Sequence, residues 1–215
     1  MRTIFFAIIF MITFTVAKSQ TVKDFFNNKD IKVTWLGIDY SHVKLMGSFA
    51  QFDTAGEKDY DEIKTKYFPA WNKLVLNEPQ KYDVKGMISR STISYDIEMI
   101  NEINEKTNSD KLRGTEHPNY SLEDIKSFVS NYNIKNKEGL GFLFIAEVLD
   151  KIEKKGYYRF VVINMKTKEV FVNELVKGAV GGIGIRNYWA RSIYESIKEV
   201  KYKYNERWQK KYLNN

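Results

Sequence analysis

The sequence predicts a single α/β domain: a mixed β-sheet that ends in a three-stranded antiparallel meander, with packed helices and one long C-terminal helix. Three observations carry this. Early in the chain, period-2 runs of β-branched and aromatic residues alternate with segments of 3.6-residue spacing. Between Gly139 and Val176, three apolar runs are separated only by short charged turns. Finally, Trp189, Ile193, Ile197, Val200, Tyr204 and Trp208 recur at helical steps toward the C-terminus.

Composition narrows the classes further. The 215 residues are 43% hydrophobic and 28% charged, a globular balance, and include no cysteine. A disulfide framework, a thiol nucleophile and cysteine-ligated zinc are therefore excluded. Ile4–Ala17 is apolar except for Thr13 and Thr15. At about 21 Å as a helix it is too short for a hydrocarbon core of roughly 30 Å. Arg2 precedes the run and Ala17-Lys18-Ser19 follows it, so residues 1–19 read as a signal peptide cleaved after Ser19, leaving residues 20–215 as the domain. The expected location is the periplasm or the exterior, with no nucleic-acid partner, no cofactor and no transmembrane segment after cleavage. Loss of Arg2 and Lys18 lowers the formal charge from +7 to +5.

Along the mature chain, residues 20–30 read as a frayed polar lead-in. Ile31–Asp39 reads as a strand, buried on both faces in its second half, which Tyr40–Phe49 prolongs. Gly56 ends that region. A helix starts near Asp59 and carries Ile63, Tyr67, Trp71 and Leu74, with a break near Phe68 imposed by Pro69, which opens the second piece. Met87–Ile97 reads as a strand and Asn101–Asn119 as a long polar connection. Ser121 and Asp124 form a capping box for a helix bearing Leu122, Ile125, Phe128 and Val129. The meander comes next as Gly139–Leu149, Tyr157–Met165 and Glu169–Val176, the first three strands lying parallel and the last three antiparallel. The final helix, Tyr188–Tyr212 with Asn187 as its cap, is long enough for its end to project.

Chemistry has few places to reside. In GAVGGIGIRNYW, closely spaced Gly181, Gly182 and Gly184 before a helix, with Arg186 and Asn187, resemble an anion nest, yet neither phosphate-loop nor dinucleotide fingerprint is complete. A tight corner packing over Trp189 explains the same glycines. Asp39 and His42, at the end of the first strand, form the one candidate acid–base couple, with no nucleophile motif beside them. Two histidines 75 positions apart specify no metal, and Asp59, Asp61 and Glu62 read as the acidic start of a helix. Residues 186–215 hold eight Lys or Arg against three Glu, so the entire +5 excess of the mature chain sits there. Lys203, Arg207, Trp208, Lys210 and Lys211 are thus the candidate contacts to an envelope protein or anionic envelope surface.

The apolar strand ending in Glu147, the KTKEV turn at 166–170, GGIGIRNYWARSI at 181–193, the opening IKVTWLGIDYSHVKL and the Trp71-Asn72 pair together resemble a group of uncharacterised exported proteins of Bacteroidetes-type bacteria. That resemblance covers most of the mature chain and implies export; it carries no activity. The sequence thus points to a non-catalytic binding or accessory module. The alternative is a small-molecule or hydrolytic site between residues 39–42 and 181–186.

Overall fold

The computed structural model describes residues 20–49, 59–134 and 137–214; the expected signal peptide at 1–19 and the expected boundary at Gly56 lie outside them. Residues 20–30 are not a frayed lead-in. Thr21 caps α1 (Val22–Asn27): its hydroxyl accepts the Asp24 amide, and the Asp24 carboxylate accepts the Thr21 N–H at 2.8 Å. Phe25 and Phe26 are buried, and the inward-turned Arg90 holds the helix end by donating to the carbonyls of Phe25 (2.6 Å), Ile31 (2.9 Å) and Lys29 (3.2 Å).

β1 (Val33–Asp39) is buried along its whole length, and the chain turns before a separate β2 (Lys44–Met46). Asp59 caps α2 (Tyr60–Glu62), as its position before the helix predicts. Near Phe68 the helix changes its winding rather than breaking fully, and Pro69 opens the second piece as expected. A π-helical turn, Ile63–Tyr67, leads straight into α3 (Phe68–Asn77), with Pro69 in its first turn where no amide is needed. The expected strand at 87–97 shrinks to β3 (Ser94–Tyr95), because Asp83 caps the short α4 (Val84–Met87) and Arg90 turns inward to α1. The expected polar connection at Asn101–Asn119 instead begins inside α5 (Glu98–Glu105), whose Met99 and Ile100, just before it, are buried. The capping box at Ser121 opens α6 (Leu122–Ser130) as expected, with Ile125 and Val129 inward.

The meander is β4 (Leu140–Asp150), β5 (Lys155–Asn164) and β6 (Val170–Ala179). All six strands form one mixed sheet in the order β3-β1-β4-β5-β6, with β2 alongside the far half of β4. β1 is parallel to β3 and β4, β2 is parallel to β4, and β4-β5-β6 are antiparallel. The sheet sorts its residues by the period-2 rule. Phe142, Phe144 and Phe160 point to the larger core; Leu143, Ile145 and Val161 point to the second. α7 (Gly184–Glu199), a π-helical turn (Val200–Tyr204) and α8 (Asn205–Leu213) make the long C-terminal helix. Together with α1 and α3 it covers the larger core, while α5 and α6 cover the other.

Two departures concern the last helix. It starts before Asn187, with Ile183 as its cap residue, and the Asn187 side chain donates back to the Ile183 carbonyl at 3.2 Å. Its end does not project: Tyr212 stacks on Phe26 of α1, and Trp208 stacks on Phe160 at 5.1 Å. The helix lies close to the sheet because Gly178 has no side chain; a Cβ there would sit 1.9 Å from the Ser192 carbonyl oxygen.

Candidate functional site

Asp39 and His42 sit together in sequence but serve different partners. The buried Asp39 carboxylate accepts the Tyr132 hydroxyl at 2.5 Å and the Ser41 amide at 2.8 Å. The His42 ring stacks on Phe128, with ring centroids 3.5 Å apart, and its carbonyl accepts the Tyr120 hydroxyl. Burial lowers the His42 pKa, and the nearby Asp39 charge only partly opposes this. No hydrogen bond joins the two side chains; each is held by other partners, and they meet only through the Asp39 charge acting on the imidazole. Tyr132 and Phe128 belong to the second core, whereas the glycine corner leads into α7 over the larger one. The Asp39 and His42 side chains thus face the second core, and neither lines the groove at the glycine corner, although Tyr40 between them packs on Trp71 in the larger core.

The corner itself is built as its glycines predict: Gly182 and Gly184 take φ of +108° and +76°, conformations that disfavour side chains. Gly181, Gly182, Arg186 and Asn187 line a groove of about 560 Å³ with Lys81, Tyr82, Arg191 and Tyr194. Gly184 lies outside this lining. Arg186 is exposed, with Asn187 Oδ1 at 3.2 Å and Glu78 at 4.0 Å, and its carbonyl accepts the Trp71 indole N–H at 3.0 Å, tying the corner to α3. Beside the groove, the Ile183 side chain is 93% exposed. Arg191 lies over the Tyr194 ring and also pairs with Glu195.

The cationic helix is more self-satisfied than its charge count implies. Lys203 pairs with Glu199 at 2.6 Å, Lys210 with Glu206 at 3.0 Å, and Lys211 with Glu174 of β6 at 2.5 Å. Arg207 is exposed and forms no ion pair among the described residues. Trp208 is no partner contact; it is 3% exposed, stacked between Phe160 and Tyr204.

A third cluster has no sequence signature. His117, in the loop before α6, meets Asp150 at the end of β4 and Glu153 in the β4–β5 turn; one ligand atom from each lies within 4.8 Å of the others. His117 Nε2 is 3.0 Å from Asp150 Oδ2, and the Tyr157 hydroxyl donates to Glu153. Nothing in the linear order announces this, since His117 and Asp150 are 33 residues apart. The spacing rules for metal motifs look for ligands close together on one element.

No family model, no curated protein and no solved structure matches this chain. On the second face, Glu147 and Arg159 form a buried ion pair at 2.5 Å beside a bulge in β4, which holds β4 to β5 from within.

Proposed function

We propose that the protein is an exported, non-catalytic module that binds a partner in the cell envelope, an envelope protein or an anionic envelope surface, through the corner that opens α7. The supporting observation is Ile183. A large apolar side chain stands in water on a glycine-flanked corner, at the rim of a groove that carries Lys81, Arg186 and two tyrosines. Tyrosine and arginine around an apolar anchor are the composition favoured where proteins meet. The net positive charge favours an anionic partner. The corner is also pre-ordered: its glycines, the Trp71–Arg186 hydrogen bond and the bond from the Gly181 amide to the Tyr188 carbonyl fix it before any partner arrives, which limits the entropy lost on binding.

Retention of the purified mature protein on envelope fractions, measured against salt, tests this. The double variant Ile183→Asp, Arg186→Ala is expected to weaken retention about tenfold, roughly 1.4 kcal/mol, with an unchanged melting curve. The set Lys203→Ala, Arg207→Ala, Lys210→Ala, Lys211→Ala is expected to do less, because three of those cations already have carboxylate partners. The opposite ranking moves the docking surface to the C-terminal helix. Salt-insensitive retention unchanged by either set overturns the reading.

A further inference from the structure

We propose that His117, Asp150 and Glu153 form a binding site for a divalent transition-metal ion of the zinc type. The three come from separate places in the chain, and the sheet brings them together. Asp150 ends β4, Glu153 lies in the β4–β5 turn, and His117 is in the loop between α5 and α6. Their ligand atoms lie within 4.8 Å of one another, and His117 Nε2 and Asp150 Oδ2 are 3.0 Å apart. Ligand atoms around a tetrahedral ion at about 2.0–2.2 Å stand roughly 3.3–3.6 Å apart. Shifts of about 1 Å close that geometry, and Glu153, exposed and borne on a turn, is free to make them.

The surroundings are arranged as an outer shell. Asp150 is 2% exposed; its Oδ1 accepts the amides of Ile152 and Glu153, both at 2.8 Å, which turns Oδ2 toward His117. Tyr157 donates its hydroxyl to Glu153 and sets its ring edge-on to the His117 ring at 4.6 Å. Both carboxylates and the imidazole are thus oriented by neighbours, the kind of support that holds metal ligands in place.

Charge points the same way. Two carboxylates share this small volume, and neither forms an ion pair with a Lys or Arg of the described residues; His117 is the sole ion-pair partner of Asp150 among them. Lys155 stands opposite Asp150 in the β4-β5 register without an ion pair to it, and Lys177, opposite Tyr157, lies over the Tyr157 ring, 5.0 Å from its centroid. An incoming cation would meet two carboxylates that no Lys or Arg of the described residues pairs with. One imidazole nitrogen with two carboxylate oxygens suits zinc or manganese better than the all-oxygen preference of calcium or magnesium. The His117 side chain is 23% exposed, which leaves an entry path and a coordination position for water.

Equilibrium dialysis and calorimetry of the purified protein with zinc chloride, and in parallel with calcium chloride, test the site. One zinc ion per chain is expected to bind saturably and to raise the melting temperature, with calcium far weaker. His117→Ala and Glu153→Gln should each lower zinc affinity about 10- to 100-fold while leaving the metal-free circular dichroism spectrum unchanged. His42→Ala, the other histidine, should bind zinc normally. Absence of saturable zinc binding, equal affinity in Glu153→Gln, or calcium binding as tight as zinc would overturn the proposal. None of these readouts involves envelope retention, so this inference and the proposed function fail or stand separately.

Discussion

Asn72 shows how one side chain can stand in for a strand. Where β1 bulges between Trp35 and Ile38, its backbone loses ladder partners. The buried Asn72 amide restores them: Oδ1 accepts the Ile38 amide at 2.6 Å, and Nδ2 donates to the Ile38 carbonyl at 2.9 Å. Asn104 does the same one step on, accepting the Tyr40 amide and donating to Ile38. Asn72→Ala leaves the Ile38 N–H buried without an acceptor, so a loss of about 2–3 kcal/mol is expected in urea unfolding. Asn72→Asp should be worse at neutral pH, since it removes the donor and buries a charge. A loss under about 0.5 kcal/mol for Asn72→Ala would show that the bulge relaxes without help. Such residues are not legible in sequence. Asn72 and Arg90 read as ordinary polar positions, because their partners are backbone groups 34 and 59–66 residues away. Periodicity reports which face a residue lies on, not which carbonyl it will meet.

At the level of elements, the long helix is the most readable feature and also the one with a hidden irregularity. Its apolar positions run from Trp189 to Trp208, a separation of 19 residue steps, whereas five α-helical turns take 18. On a straight α-helix Trp208 would lie about 100° off the face that Trp189 buries. The π-helical turn Val200–Tyr204 absorbs one extra residue and returns Trp208 to the core. Deletion of Tyr202, which is 70% exposed within that turn, should therefore give a continuous α-helix with the same buried face. A cost of about 1 kcal/mol or less is expected. Deletion of the exposed Arg191, inside regular α7, should rotate Trp189 against the rest of the helix and unfold much of the domain. Thermal melts of the two single deletions decide this; equal damage from both would mean that the π turn compensates nothing. The β4-β5-β6 meander and the α6 cap are legible in the sequence because their signals are local. The short β3 and α5 are not, because two-residue pairing and a helix rich in Asn and Glu leave little trace in a pattern.

Across the whole molecule, the two ends of the described chain close the larger core together. α1 contributes Phe25, whose ring lies 6.1 Å from Phe142 and 6.4 Å from Phe160, while Trp208 of α8 stacks on that same Phe160. Phe26 and Tyr212 stack across the join at 5.9 Å. The C-terminal helix is therefore first a structural lid and only secondarily a charged surface; the apolar spacing marks Trp208 for the inward face, while the basic residues around it suggest a contact. Its basic residues announce a surface, but Trp208 lies on the same helix and faces inward. Trp208→Ala is expected to cost about 3–5 kcal/mol, since it empties a packed aromatic site, whereas Arg207→Ala should stay within about 0.5 kcal/mol. Because α1 and α8 share Phe160, native-state hydrogen exchange should report one opening event. Amides at the end of α1 and those of α8 should exchange with a common free energy, lower than that of β4. In Trp208→Ala both should become faster by the same factor. If α1 keeps its protection when α8 loses its own, the Arg90 bonds to the carbonyls that follow Asp24 suffice to hold it, and the closure is not a single cooperative unit.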